Sequence, residues 1–382
     1  MKPLLKGVEI ELYAGTESGE VLPLSTKLKE KFPDFSQEPD QRNFEYITKP
    51  NSNYYELFKE IIETRINARN YLKSLGNLTL IPGSTIALPF SKEFYFSKPG
   101  DPYSKLILNT YQTKVITTSI HINIGMDNYN DLFKCLCILR LYTPLFLALS
   151  ASSCFYDGKV TGFNSYRWHN FPKTPSFIPF FTNHEEYINW TNKQIEIKSM
   201  FNVRHLWTSI RPNGPDRPND LNRIEIRICD LMMDTRKVLS IVALIECIIQ
   251  DYLVNKNWPK ILQTDLNKLV DIIEKQEELA AKDGLNAKIR NWKTDSEEKA
   301  SSIVESLYKE YKNIAKDMNI LEYLNPVLEI IKDGNEATQF MGMYNKTGSI
   351  QKTIQHFIEQ FTIMDLKSAD MIKGFYSPPA RS

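Results

Sequence analysis

The sequence predicts an α+β domain whose first part, about residues 1–232, builds a sheet and whose last part, about 233–382, is helical. Three observations carry this. Short segments of apolar–polar alternation recur through the first part. From about Asp234 onward the pattern is nearly all helical, with charged surfaces such as EKQEELAAKDG. No internal repeat or convincing linker divides the chain, so residues 1–382 are expected to form one domain.

The elements follow in order. GVEIELY reads as a strand, GTESGEVLP as a turn-rich link, and RNFEYITKP as a second strand ended by Pro50. YYELFKEIIETRINARNYLKSLG has apolar residues at helical spacing and stops at Gly76. A strand, NLTLIPGS, precedes a polar loop through SKPGDPYS. KVITTSIHINIGM is an alternating strand, and DLFKCLCILRLYTPLFLALSASS a helix that starts at an Asp cap and contains Pro144. Residues 154–182 are rich in Gly, Pro, Ser and aromatics, long for a connection and therefore expected to serve function. NVRHLWTSIRPN and NRIEIRICD then read as strands, with GPDRPND between them.

Composition narrows the function classes. The 382 residues are 42% hydrophobic and 24% charged, an ordinary balance for a soluble globular chain. Lys and Arg number 47 against 46 Asp and Glu, a net charge of +1, which argues against nucleic acid or an anionic membrane as partner. The start MKPLLKGVEIEL is not expected to act as a secretion signal, because Lys6 and Glu9 interrupt its apolar run. No stretch is expected to span a bilayer; VLSIVALIECIIQDYL, the best candidate, contains Glu246 and Asp251 and reads as a buried helix. The five cysteines, Cys135, Cys137, Cys154, Cys229 and Cys247, form no CxxC and are expected to be reduced, buried thiols in a cytoplasmic protein.

Alternation sorts each strand into two faces. Val8, Ile10 and Leu12 oppose Glu9 and Glu11; Phe44 and Tyr46 oppose Asn43 and Glu45. Ile120, Ile122 and Ile124 oppose Ser119, His121 and Asn123. Ile224, Ile226 and Ile228 oppose Arg223, Glu225 and Arg227, and Trp207, Ser209 and Arg211 fall together. One explanation is a solvated outer face. The other is a concave tray, if the strands pair in one sheet, on which carboxylates and guanidiniums lie side by side. Such charges are costly to bury unpaired. Carboxylates hold hard cations such as Mg2+, and arginines grip phosphate and carboxylate. The pattern therefore points to Mg-nucleotide chemistry on an acidic substrate.

These segments also resemble a known family. GVEIEL is similar to the G-x-E-x-E-L opening of the type 2 glutamate–cysteine ligases, and FEYITKP to their E-x-x-T-P strand. SIHINIGM resembles their H-x-H-x-G strand, RIEIRICD their E-x-R-x-x-D strand, and LALSASSCFYDGKVTGFNSYR their L-x-A-x-S-x-x-x-x-x-G-x-x-T-G-x-x-S-x-R stretch. GNEATQFM lies where the family has another glycine-led stretch. The resemblance runs from residue 7 to about 345. It implies a glutamine-synthetase-like fold with a curved, mainly antiparallel sheet, and an ATP- and Mg2+-dependent carboxylate–amine ligase acting on L-glutamate and L-cysteine. The product would be γ-glutamylcysteine, the first intermediate of glutathione biosynthesis; a different amine acceptor, or a non-catalytic nucleotide- or amino-acid-binding module, are the alternatives.

By the same resemblance, Glu9, Glu11, Glu45 and Glu225 are expected to hold Mg2+. Arg211, Arg227 and His121 are expected to be catalytic, and Arg167, Asn123 and Arg227 to contact the nucleotide. Asn123 stands where the family has a second histidine and cannot carry its proton. Ser152 and Ser153 are expected to cap or turn the helix end rather than touch ligand.

Overall fold

A computed structural model describes residues 1, 3–256 and 258–376. A seven-stranded antiparallel sheet occupies the first part: β1 (Lys6–Thr16), β2 (Ser36–Gln37), β3 (Asn43–Ile47), β4 (Leu78–Ile81), β5 (Ile120–Gly125), and two further strands near residues 210–226. Between β5 and those strands lies a small hairpin, β6 (Phe155–Tyr156) with β7 (Lys159–Val160). β8 (Ile210–Asn213) and β9 (Arg223–Ile226) complete the sheet in the order β2-β3-β1-β5-β9-β8, with β4 paired to the far end of β1.

The back of this sheet is the apolar face the alternation predicts. Val8, Ile10, Leu12, Phe44, Ile120, Ile122, Ile124, Ile224 and Ile226 are all buried. Helices Tyr54–Ser74 and Tyr129–Ser150 pack on the sheet, and helix Thr235–Asn255 packs against both helices. The buried apolar residues of the sheet and of the helical part form one continuous core. Two buried ion-pair networks cross-link it. Lys6 Nζ, on the back of β1, lies 2.6 Å from Glu246 Oε2, which also accepts from Tyr54 Oη at 2.7 Å. Asp365, on the C-terminal helix Ile350–Tyr376, lies 2.8 Å from Arg65 and 2.9 Å from Arg69. Removing one partner of such a pair strands the other in the core, at a cost of about 3–5 kcal/mol.

The structure departs from the sequence reading in several places. The strand expected over 114–126 starts only at Ile120, because Gln112–Val115 coil into a 3-10 turn. The helix expected to begin at an Asp cap begins one turn earlier, with Asn128 Oδ1 accepting from the Asp131 N–H at 3.1 Å. A hairpin, β10 (Lys288–Asn291) with β11 (Ser296–Lys299), interrupts the helical part. Two helices, Tyr129–Ser150 and Thr235–Asn255, are long and apolar enough to cross a membrane, contrary to expectation. Their apolar stretches are 94% and 78% buried inside the fold, which makes them core helices.

All five cysteines are buried and free. Burial pushes the thiols of Cys137, Cys229 and Cys247 up to about 12, and those of Cys135 and Cys154 higher still. The native protein should therefore resist a maleimide at pH 8, with all five thiols reacting only after denaturation. A thiol labelled at the rate of free cysteine before unfolding would contradict the packing.

Candidate active site

The strand register assembles the polar face. Glu11 lies opposite Glu45 across β1 and β3, and Glu9 opposite His121 across β1 and β5. Asn123 lies opposite Glu225, and Glu225 opposite Arg211 on β8. Beyond the end of β9 the pairing continues through Arg227 N–H to Ser209 O at 2.8 Å, which keeps Arg227 on the same face. All the predicted polar residues of the five strands thus converge on one side of one sheet.

Their contacts divide them into two groups. Glu225 has no exposed side-chain surface and accepts from Arg211 at 2.7 and 3.1 Å, from Asn213 Nδ2 at 2.7 Å and from Arg227. Burial alone would raise its carboxyl, but Arg211 and Arg227 hold it well below the usual range. Glu9 accepts from Asn123 Nδ2 at 3.0 Å and sits 3.0 Å from His121 Nδ1. Burial raises Glu9 as well, and the His121 hydrogen bond with nearby Arg227 outweighs it, leaving Glu9 ionised and below its ordinary value. His121, depressed by burial and by Arg227, is neutral.

The other group has no hydrogen-bonded cation. Glu11 accepts from Ser119 Oγ at 2.8 Å and lies 3.8 Å from His121 Nε2, and burial with nearby Glu38 pushes it up to about 8. Glu45 is raised well above the usual range by burial and by Glu9, Glu38 and Glu11; Glu38 is raised by burial. Among the described residues, neither Glu38 nor Glu45 has a hydrogen-bond or ion-pair partner. Ligand atoms of Glu11, Glu45 and His121 lie within 4.8 Å of one another, as do those of Glu9, His121 and Glu225. A hard divalent cation fits this oxygen-rich donor set.

Glu9, Glu11, Glu38, Glu45 and His121 line a cleft of about 470 Å3 that also contains Tyr103, Arg204, Trp207, Arg211 and Arg227. A smaller cavity of about 90 Å3 adjoins it beneath Trp207, walled by Arg167, Phe171, Pro172 and Lys114. The 154–182 segment therefore reaches the site through Arg167, Phe171 and Pro172. Arg167 Nε is held by Asp230 Oδ1 at 2.7 Å, and a second nitrogen donates to the Ile228 carbonyl. Asp230 also accepts from Ser152 N–H at 2.9 Å, Ser153 Oγ at 2.7 Å and Ser165 Oγ at 2.9 Å. Ser152 and Ser153 thus dock the loop onto the end of β9; Ala151 ends the helix.

Several site residues escaped the sequence reading, Glu38, Arg204 and Asp230 among them. Glu38 follows a two-residue strand, too short to show alternation. Asp230 closes the RIEIRICD segment, but its partners are 63–78 residues away in sequence and only the fold joins them. Asn123, expected at the nucleotide, bridges Glu9 and Arg223, accepting from Arg223 Nε at 3.1 Å. Arg223 lies on the polar face with Glu225 and Arg227, where alternation places it.

The raised carboxyl of Glu11 makes a pH signature. The folded state keeps its proton between the ordinary value of 4.5 and about 8, whereas the unfolded chain does not. Its ionisation therefore erodes stability as pH rises through that window. A Glu11→Gln substitution stays neutral, so in chelator its stability advantage over wild type should grow from pH 5 to pH 9, by on the order of a few kcal/mol. A difference independent of pH in denaturant titrations would contradict this.

Comparison with known proteins identifies the family and the fold. The family described as glutamate-cysteine ligase family 2 matches residues 5–356. A relative from Solibacter usitatus, provisionally named a glutamate–cysteine ligase 2, is 26% identical over 267 residues, covering 69% of this chain and 67% of its own. A similarly named Rubrobacter xylanophilus protein is 24% identical over 379 residues, covering 92% and 93%. Among solved structures, a glutamate–cysteine ligase from Francisella tularensis, in complex with AMP, shares the fold with a TM-score of 0.69 at 12% identity, over 100% of this chain and 96% of its own. A bifunctional glutathione synthetase from Pasteurella multocida gives 0.72 at 15% identity; the match covers 95% of this chain and 52% of that one. The chain belongs to glutamate-cysteine ligase family 2, a family of carboxylate–amine ligases.

Proposed function

We propose that the protein is an ATP- and Mg2+-dependent glutamate–cysteine ligase of the cytoplasm. It would join the γ-carboxylate of L-glutamate to the amine of L-cysteine, the opening step of glutathione biosynthesis. The observation that carries the reading is the set of carboxylates with no cation bonded to them, Glu11, Glu38 and Glu45, near Arg227 in one cleft. Structural proteins do not bury like charges this way without a ligand to balance them. The AMP complex of the Francisella ligase supports a nucleotide partner.

A carboxylate is a poor electrophile. Transfer of the terminal phosphoryl group of ATP to the γ-carboxylate oxygen gives γ-glutamyl phosphate and ADP. The cysteine amine then attacks the acyl carbon, the C–O bond to phosphate breaks, inorganic phosphate leaves and the ammonium loses a proton. Mg2+, when bound, supplies positive charge against the nucleotide phosphates. Glu9, Glu11, Glu38 and Glu45 would hold it, and Glu225 shares the grouping with Glu9 and His121. Arg211 and Arg227, oriented by Glu225, would steady the transferring phosphoryl group or the substrate carboxylate. His121 and Asn123 fix the Glu9 carboxylate in one orientation. Arg167, anchored by Asp230, presents a rigid cation to the small cavity.

The test is phosphate release from ATP and Mg2+ with glutamate, adding cysteine and then other amines singly. Release should require both glutamate and cysteine and yield γ-glutamylcysteine. Alanine at Glu9 or at Glu225 should lower turnover on the order of 10³-fold or more. Release with a different amine would replace the acceptor; release without glutamate, or near-wild-type activity in either variant, would overturn the reading.

A further inference from the structure

The Asn123 side chain is buried and makes two contacts of opposite kind. Its Nδ2 donates to Glu9 Oε1 at 3.0 Å, and its Oδ1 accepts from Arg223 Nε at 3.1 Å. Arg223 reaches it along a diagonal of the sheet. Directly opposite Arg223 on β5 stands Gly125, and Asn123 is two residues back along that strand. Arg223 is half-buried, and a second nitrogen donates to Asn222 Oδ1 at 3.0 Å. Among the described residues it makes no ion pair, although carboxylates crowd the same face.

An asparagine amide has nearly the same shape either way round, so its neighbours decide which end points where. Ionised Glu9 offers acceptors only, and a guanidinium offers donors only. Turning the amide over would set two acceptors face to face at Glu9 and two donors face to face at Arg223. Arg223 therefore imposes the orientation in which Asn123 donates to Glu9, and it does so at any working pH, because a guanidinium keeps its proton. The chain continues from Glu9 Oε2 to His121 Nδ1 at 3.0 Å. Both oxygens of Glu9 are thus pinned from β5, and with them the lone pairs left over for the grouping of Glu9, His121 and Glu225.

We propose that Arg223 is a positioning residue for the divalent ion: it fixes the polarity of the Asn123 amide, and the amide in turn aims the Glu9 carboxylate. The proposal rests on the metal site of the ligase reading above. Its sign separates it from a simple field effect. Arg223 is positive, so by Coulomb attraction alone its removal would tighten a cation on Glu9. Loss of an orienting partner weakens the ion instead.

Mn2+ binding, followed by electron paramagnetic resonance on variants of matched melting temperature, reads the difference. Arg223→Met keeps the length and removes every donor, and should weaken Mn2+ about tenfold or more. Arg223→Gln should weaken it too, since an amide offers Asn123 a donor or an acceptor and selects neither orientation; this variant also serves if methionine disturbs the fold. Arg223→Lys, again donors only, should restore the wild-type affinity. In an Asn123→Ala background, Arg223→Met should cause no further loss. Unchanged or tighter binding in both the Met and Gln variants would overturn the proposal. So would a Lys variant as weak as Met, or an equal further loss in the Asn123→Ala background. Absence of Mn2+ binding by the wild-type protein overturns it together with the metal site. Mn2+ binding without phosphate release from ATP overturns the ligase reading alone.

Discussion

Burial of Val8, Ile10 and Leu12 on the back of β1 fixes the register of the central strand, and every charged group of the site depends on that register. A slip of one residue would turn Glu9 and Glu11 into the core and the three aliphatics into the cleft. β1 pairs with β3 on one side and with β5 and β4 on the other, so the constraint spreads across the sheet. Lys6 adds a lock, because its ammonium must reach Glu246 on a helix behind the sheet. The chemistry of the front thus rests on the packing of the back.

Given that register, chemically identical side chains reach different states. Glu225 is enclosed by Arg211, Arg227 and Asn213 and stays ionised despite full burial. Glu45, three strands away and opposite Glu11, meets carboxylates and is pushed in the other direction. Like charges placed opposite one another on a sheet destabilise it. The fold tolerates this strain at a spot bordering a cleft, where a cation can enter and relieve it. Asp230 has the opposite role: its four donors tie the loop containing Arg167 to the end of β9, so the wall of the small cavity is as rigid as the strand.

Much of this was legible in the sequence because it follows a period of two. The alternation of GVEIEL, SIHINIG and NRIEIRI placed Glu9, Glu11, His121, Asn123, Glu225 and Arg227 on one face before any pairing was known, and the resemblance of the same segments to the ligase family named the fold. What alternation could not show was order across the sheet or any group outside a strand. Glu38 follows a two-residue strand, and Arg204 lies in a 3-10 turn, where no period marks a face. The hairpin over 288–299 was missed because charged SEEK reads as readily as a helix surface as a strand. Helix Tyr129–Ser150 was legible as a helix, though not as one of membrane length; its burial in the core gives it a place.

Glu11, Glu38 and Glu45 lie together with no cation bonded to them, an arrangement that a divalent ion would complete. The most direct measurement is Mn2+ binding, followed by electron paramagnetic resonance, to wild-type protein and to a Glu45→Gln variant of matched melting temperature. At least one bound ion is expected in wild type, with an affinity weaker by about tenfold or more in the variant. No bound Mn2+ in the wild-type protein, or equal affinity in both, would contradict it.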